Sequence, residues 1–193
     1  MKRFASTRGM IVFLLLVCML AGYYFYLSNK TEKDEEVDAT KVQEVLLRDL
    51  SRNYPATPKE VVRYYSEIMQ CLYNEEYTEE ELEQLAEKVL EIYDSDLVAF
   101  QPEEYINKLR DDVTDYKTRG VSVSSFKTSN STDVEYFTKD GRQCAGIFCT
   151  YTLRLGSSLE AVEEVFILRK DEEGHWKIFG WDDANGLQQP AAS

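Results

Sequence analysis

The sequence predicts an α+β fold: three N-terminal helices packed on a curved antiparallel sheet, preceded by one transmembrane helix. Three observations predict it. Residues 10–27 carry no charge, residues 57–120 place apolar side chains at helical spacing in three successive runs, and beyond Gly120 the period changes from 3.6 toward 2. Strands and helices do not alternate, so a parallel βαβ sheet is excluded and an antiparallel meander is expected.

The chain opens with a short basic tail, residues 1–9, expected in the cytoplasm. The run MIVFLLLVCMLAGYYFYL over residues 10–27 would extend about 27 Å as a helix at about 1.5 Å per residue, enough to cross a bilayer. A cleavable signal is the rival reading, but cleavage after Ala21 or Gly22 puts Met19 or Leu20 where a small residue is preferred, which favours retention. Cys18 follows Leu15, Leu16 and Val17 and lacks the small residue that a lipidated cysteine needs before it. Lys2, Arg3 and Arg8 precede the run, whereas Lys30 and Lys33 are soon followed by Asp34, Glu35 and Glu36. The basic bias predicts a single-pass protein of the cell membrane, N-terminus cytoplasmic and C-terminal domain extracellular.

Residues 28–53 read as a polar juxtamembrane linker carrying one short amphipathic helix, with Val42, Val45, Leu46 and Leu50 at helical spacing and Thr40 with Gln43 as a capping box. The folded domain is expected over residues 54–183. Thr57, Pro58 and Glu60 supply an N-cap, a first-turn proline and a capping-box acid. Val61, Tyr65, Ile68 and Leu72 then form one apolar row, widened by Val62, Met69 and Tyr73. Thr78 with Glu81 starts a second helix through Leu82, Leu85, Val89 and Ile92. A third begins near Pro102 and runs through Tyr105, Ile106, Leu109, Val113 and Tyr116 to Gly120 as its stop. Strands are expected over 121–127, 133–138, 144–155, 161–170 and 175–181, with Asp140-Gly141 and Gly156-Ser157-Ser158 as turns. Residues 184–193 have little to bury and are expected to form a flexible tail.

The formal charge of −13 becomes −17 beyond residue 30, with 18 bases against 35 acids, which disfavours nucleic acid as a partner. Twelve acids between Glu75 and Glu104 face one base, Lys88, and read as a solvated helix surface or, more weakly, a surface for a basic partner. The only histidine, His175, follows the Gly174 turn and is expected near a loop. Cys71, Cys144 and Cys149 have no CxxC spacing, so neither a zinc site nor any other metal or cofactor is indicated. Cys144 and Cys149 fall on opposite faces of one strand. Buried free thiols are expected, a bond from Cys71 to either being the other reading. Asn130-Ser131-Thr132 is a formal glycosylation sequon.

The order of three helices then a curved sheet, closed by HWKIFGW over residues 175–181 after the turn-bearing stretch LRKDEEG at 168–174, resembles the nuclear transport factor 2-like superfamily. With its N-terminal run, the chain is similar to single-span proteins of Gram-positive bacteria that carry such a domain outside the membrane. The resemblance implies a cone between the first helix and the sheet. Superfamily enzymes place an acid, tyrosine or histidine there, for which Tyr64, Tyr65, Tyr93, Asp94 and Asp182 are the candidates. Tyr65, Met69, Tyr93, Phe100 and Tyr105 are the pocket-lining candidates. No pair among them forms a recognisable catalytic set. The expected function is a membrane-anchored extracytoplasmic interaction or scaffold domain, non-enzymatic, whose partner is an envelope protein or a second copy. The alternative is a small-ligand pocket, or an isomerase-like or dehydratase-like enzyme, using the cone interior.

Overall fold

A computed structural model describes residues 39–101 and 104–184. Three threonines with side-chain partners three residues on open the first helices. Thr40 and Gln43 cap α1 (Lys41–Leu46), Thr57 and Glu60 cap α2 (Pro58–Asn74), and Thr78 and Glu81 cap α3 (Glu79–Ile92). Asp94 caps the short α4 (Ser95–Phe100), and α5 (Tyr105–Thr118) leads to Gly120, whose φ of +71° lies in the left-handed region that ends helices.

The strands are β1 (Val121–Thr128), β2 (Glu135–Lys139), β3 (Arg142–Leu155), β4 (Ser158–Lys170) and β5 (Trp176–Asp183). All pairs are antiparallel in the order β1-β3-β4-β5, and β2 lies end to end with β1 along the same edge of β3. Asp140 and Gly141 both have positive φ, as the tight β2–β3 turn requires. Each outer strand carries one surplus residue against its partner: Ser124 in β1 and Phe179 in β5. Such bulges bend a strand and sharpen its twist. They also reset parity, so Phe126 and Trp181 return to the helix-facing side opposite Tyr151 and Phe166.

The core lies between α2 and this inner face. Val61, Ile68 and Leu72 of α2, Leu85 and Ile92 of α3, and Ile147, Phe166, Leu168 and Ile178 of the sheet are fully buried. Asn74 fixes α2 against β1 by accepting from the Val123 amide and donating to its carbonyl, both at 2.8 Å. Helix α1 belongs to the same compact unit, which begins at Thr40. Val42 and Val45 are buried, and the Tyr64 hydroxyl donates to the Val45 carbonyl at 3.1 Å.

Two expectations are corrected. Among the described residues five α-helices, rather than three, precede the sheet, because α1 is part of the folded unit and α4 forms between the second and third predicted helices. The transmembrane helix expected over residues 10–27 lies outside the described residues, and no helix among these is long and apolar enough to cross a membrane. The longest, α2, has 17 residues and carries Lys59, Glu60, Arg63 and Glu67. The single-pass, signal-anchored placement with an extracellular domain finds no spanning helix among the described residues and is withdrawn. The predicted flexible tail lies outside the described residues beyond Ala184.

Candidate functional site

A cleft of about 280 Å³ opens between α2, α5 and the inner face of the sheet. Its helical wall follows from spacing: Tyr65, Met69 and Tyr73 stand four residues apart on α2 and so share one face. Tyr116 of α5 closes one side, its ring edge-on to Tyr73 at 5.5 Å. Val121 and Val123 of β1, Tyr151 and Leu153 of β3, Val162 and Glu164 of β4, and Trp181 of β5 form the floor.

Glu164 is the only charged group of that lining. Strand parity puts it there, since it is registered against Cys149 and shares the inner face with Val162, Phe166 and Leu168. Its carboxyl is half-buried, and burial, reinforced by the charge of Asp183 on the neighbouring strand, raises its pKa above the ordinary glutamate value. Among the described residues, no side chain forms a hydrogen bond or ion pair with it. Arg119, three residues beyond the cleft's Tyr116, stacks on that ring at 4.5 Å and is paired with Asp115 at 2.8 Å.

The deep end of the cleft is closed by aromatic rings. Tyr65 packs against Phe166 at 5.5 Å, Trp181 at 5.8 Å and Tyr93 at 6.2 Å. Tyr65, Tyr93 and Tyr105 act on one another as a tyrosine cluster, and burial raises the pKa of all three, which keeps them neutral. Ser66 donates to the Val62 carbonyl at 2.8 Å and accepts from the Tyr151 hydroxyl at 2.7 Å, with the Cys149 sulfur at 3.7 Å. This polar trio is buried and satisfied.

Of the pocket-lining candidates, Tyr65 and Met69 line the cleft. Tyr93 and Tyr105 stand behind Tyr65, and Phe100 is 88% exposed on α4. Tyr64 turns toward α1 under the Arg48 guanidinium, and its pKa is pushed up to about 12 by burial. Asp94 is held by Arg169, and Asp182 borders a separate hollow on the outer face of the sheet. That hollow, about 520 Å³, includes Phe137, Val165, Ile167 and Phe179. His175 stacks on Tyr54 at 4.3 Å, with its amide donating to Asp171. Cys71, Cys144 and Cys149 are free and buried, and burial pushes the Cys71 thiol up to about 11. No group of three or more potential ligands for a metal is assembled among the described residues.

Sequence reading missed Glu164, Tyr151 and Trp181. The signal for Glu164 was present: in an alternating strand the adjacent pair Glu163-Glu164 must send one acid inward. For Trp181 there was none, since its facing depends on the surplus residue Phe179.

Residues 1–181 match the family described as a domain of unknown function, DUF6715, and the chain belongs to that family. No curated protein matches the chain. Every residue lining the cleft lies within the matched span.

Proposed function

We propose that this domain is a small-ligand-binding module whose site is the cleft between α2 and the sheet, with Glu164 as its polar anchor. The observation that carries the reading is a half-buried carboxylate without a protein partner among the described residues, set in walls of tyrosine, tryptophan and aliphatic side chains. A concave, mostly apolar site with few convergent polar groups is the usual form of a small-molecule pocket, and the volume sits near the lower end of its roughly 300–1,000 Å³ range. The resemblance to the nuclear transport factor 2-like superfamily supports the same location. The groups beside Glu164 are the like-charged Asp183 of β5 and neutral tyrosines, with no histidine, lysine or arginine in the lining, so binding is favoured over proton transfer. A fragment screen on the full-length chain by NMR tests this. Ligands are expected to shift the Met69 methyl signal, which belongs to the cleft and not to the outer-face hollow, and hits that shift only outer-face residues such as Phe179 would reject the cleft.

The aromatic outer face favours a second reading, a protein-interaction surface. Phe137, Phe148 and Phe179 are each between 37% and 41% exposed there. Sedimentation of the full-length chain tests it: self-association weakened by Phe179→Glu supports the reading, and a monomer at all concentrations removes a second copy as the partner.

A further inference from the structure

Resting on the cleft reading, we infer that the ligand is a small organic cation, an ammonium compound whose charge faces Glu164 and whose apolar part lies among Tyr65, Tyr73 and Trp181.

The cleft lining contains one formal charge, and it is negative. A carboxylate can only accept hydrogen bonds, so the ligand must present donors. An anionic ligand would meet Glu164 with no lysine, arginine or histidine in the lining to offset it. A neutral apolar ligand would bury the carboxylate further without pairing it, a cost that an ammonium group removes. The walls fit the same chemistry, because aromatic rings such as those of Tyr73, Tyr151 and Trp181 in the lining attract a cation placed over them through their quadrupoles. The titratable groups facing Glu164 are Tyr65 and Tyr73 from α2, Tyr116 from α5, Cys149 and Tyr151 from β3, and Asp183 from β5. None is a cation near neutral pH. The acidity of the whole chain, −13, also draws cations toward the domain.

The test uses three probes of one shape on the full-length chain near neutral pH: phenethylammonium, 2-phenylethanol and phenylacetate, followed by the Met69 methyl signal. Phenethylammonium is expected to bind about 10-fold tighter than the alcohol, and phenylacetate not at all. Glu164→Gln, which is isosteric, should erase the ammonium preference and bring the ammonium and the alcohol to similar affinity. Glu163→Gln removes the same charge from the exposed outer face and should change neither. Equal binding of ammonium and alcohol to the unaltered chain would overturn the cation inference and leave the cleft as a ligand site. An ammonium preference that survives Glu164→Gln would overturn it as well, assigning the attraction to diffuse charge. Failure of all three probes to reach Met69 would overturn both the inference and the cleft reading.

Discussion

Two carboxylates withdrawn from water, one at the α3–α4 junction and one in the cleft, have opposite fates. Asp94 is almost fully buried, yet it accepts from the Arg169 Nε at 2.9 Å, from a second Arg169 nitrogen and from the Asp96 amide at 2.9 Å. Burial pushes its pKa up, but these bonds outweigh burial and hold it below the ordinary aspartate value. For Glu164, burial and then the Asp183 charge raise the pKa, and no described side chain forms an ion pair with it to reverse the shift. Partnership, not depth, decides whether an inward acid in this fold ties elements together or waits for something to bind. Asp94 receives Arg169 from the sheet and caps α4, so its charge is consumed by architecture.

The largest expected effect comes from making Asp94 resemble Glu164. Arg169→Met leaves a buried, unpaired carboxylate and should cost about 3–5 kcal/mol in chemical denaturation near neutral pH. Adding Asp94→Asn should recover part of that loss. A cost under about 1 kcal/mol would break the contrast between the two sites. Ser66→Ala comes next. It takes the acceptor from the Tyr151 hydroxyl at the closed end of the cleft and should cost about 1–3 kcal/mol by the same measurement.

Making Glu164 resemble Asp94 should have a smaller effect on folding. Val162→Lys puts an ammonium two residues away on the same face of β4, within reach of the carboxylate. Stability should change by no more than about 1 kcal/mol, the Glu164 pKa measured by carbon NMR should fall, and phenethylammonium binding should be lost. The smallest effect belongs to Glu164→Gln without ligand. A carboxyl with a raised folded pKa favours the fold in acid, and that contribution disappears as pH rises through the raised value. The variant should therefore melt slightly higher than the parent at neutral pH and at the same temperature in acid. Asp94 has the reverse sign: its contribution is present above the unfolded aspartate pKa and is lost as pH falls through the lower folded value.

Local signals made most of the fold legible. The pairs Thr57 with Glu60 and Thr78 with Glu81 announce helix starts because each needs only residues three apart, and both boxes form. Asp140-Gly141 announces a tight turn for the same reason. Helix α4 escaped notice because it is six residues long, buries none of them, and is capped by an aspartate whose partner Arg169 lies 75 residues away. The membrane assignment rested on residues 10–27 alone, and the described helices, all amphipathic or short, give it no support. At the site, Tyr65 and Met69 were legible from the α2 spacing, whereas Tyr151 and Trp181 depend on sheet registry that no single strand encodes.

The surplus residue in β5 gives this edge an unusual tolerance. Removing Phe179 would leave Ile178 opposite Leu168 and bring Gly180 directly after it opposite Ile167, so every later side chain would keep its side of the sheet. Shortening a strand by one position normally turns it inside out. Here the shorter chain should straighten the sheet's rim and reshape the mouth of the cleft while Trp181 stays in its wall. Cleft width is thus adjustable through length at this position without exchanging the residues that line it.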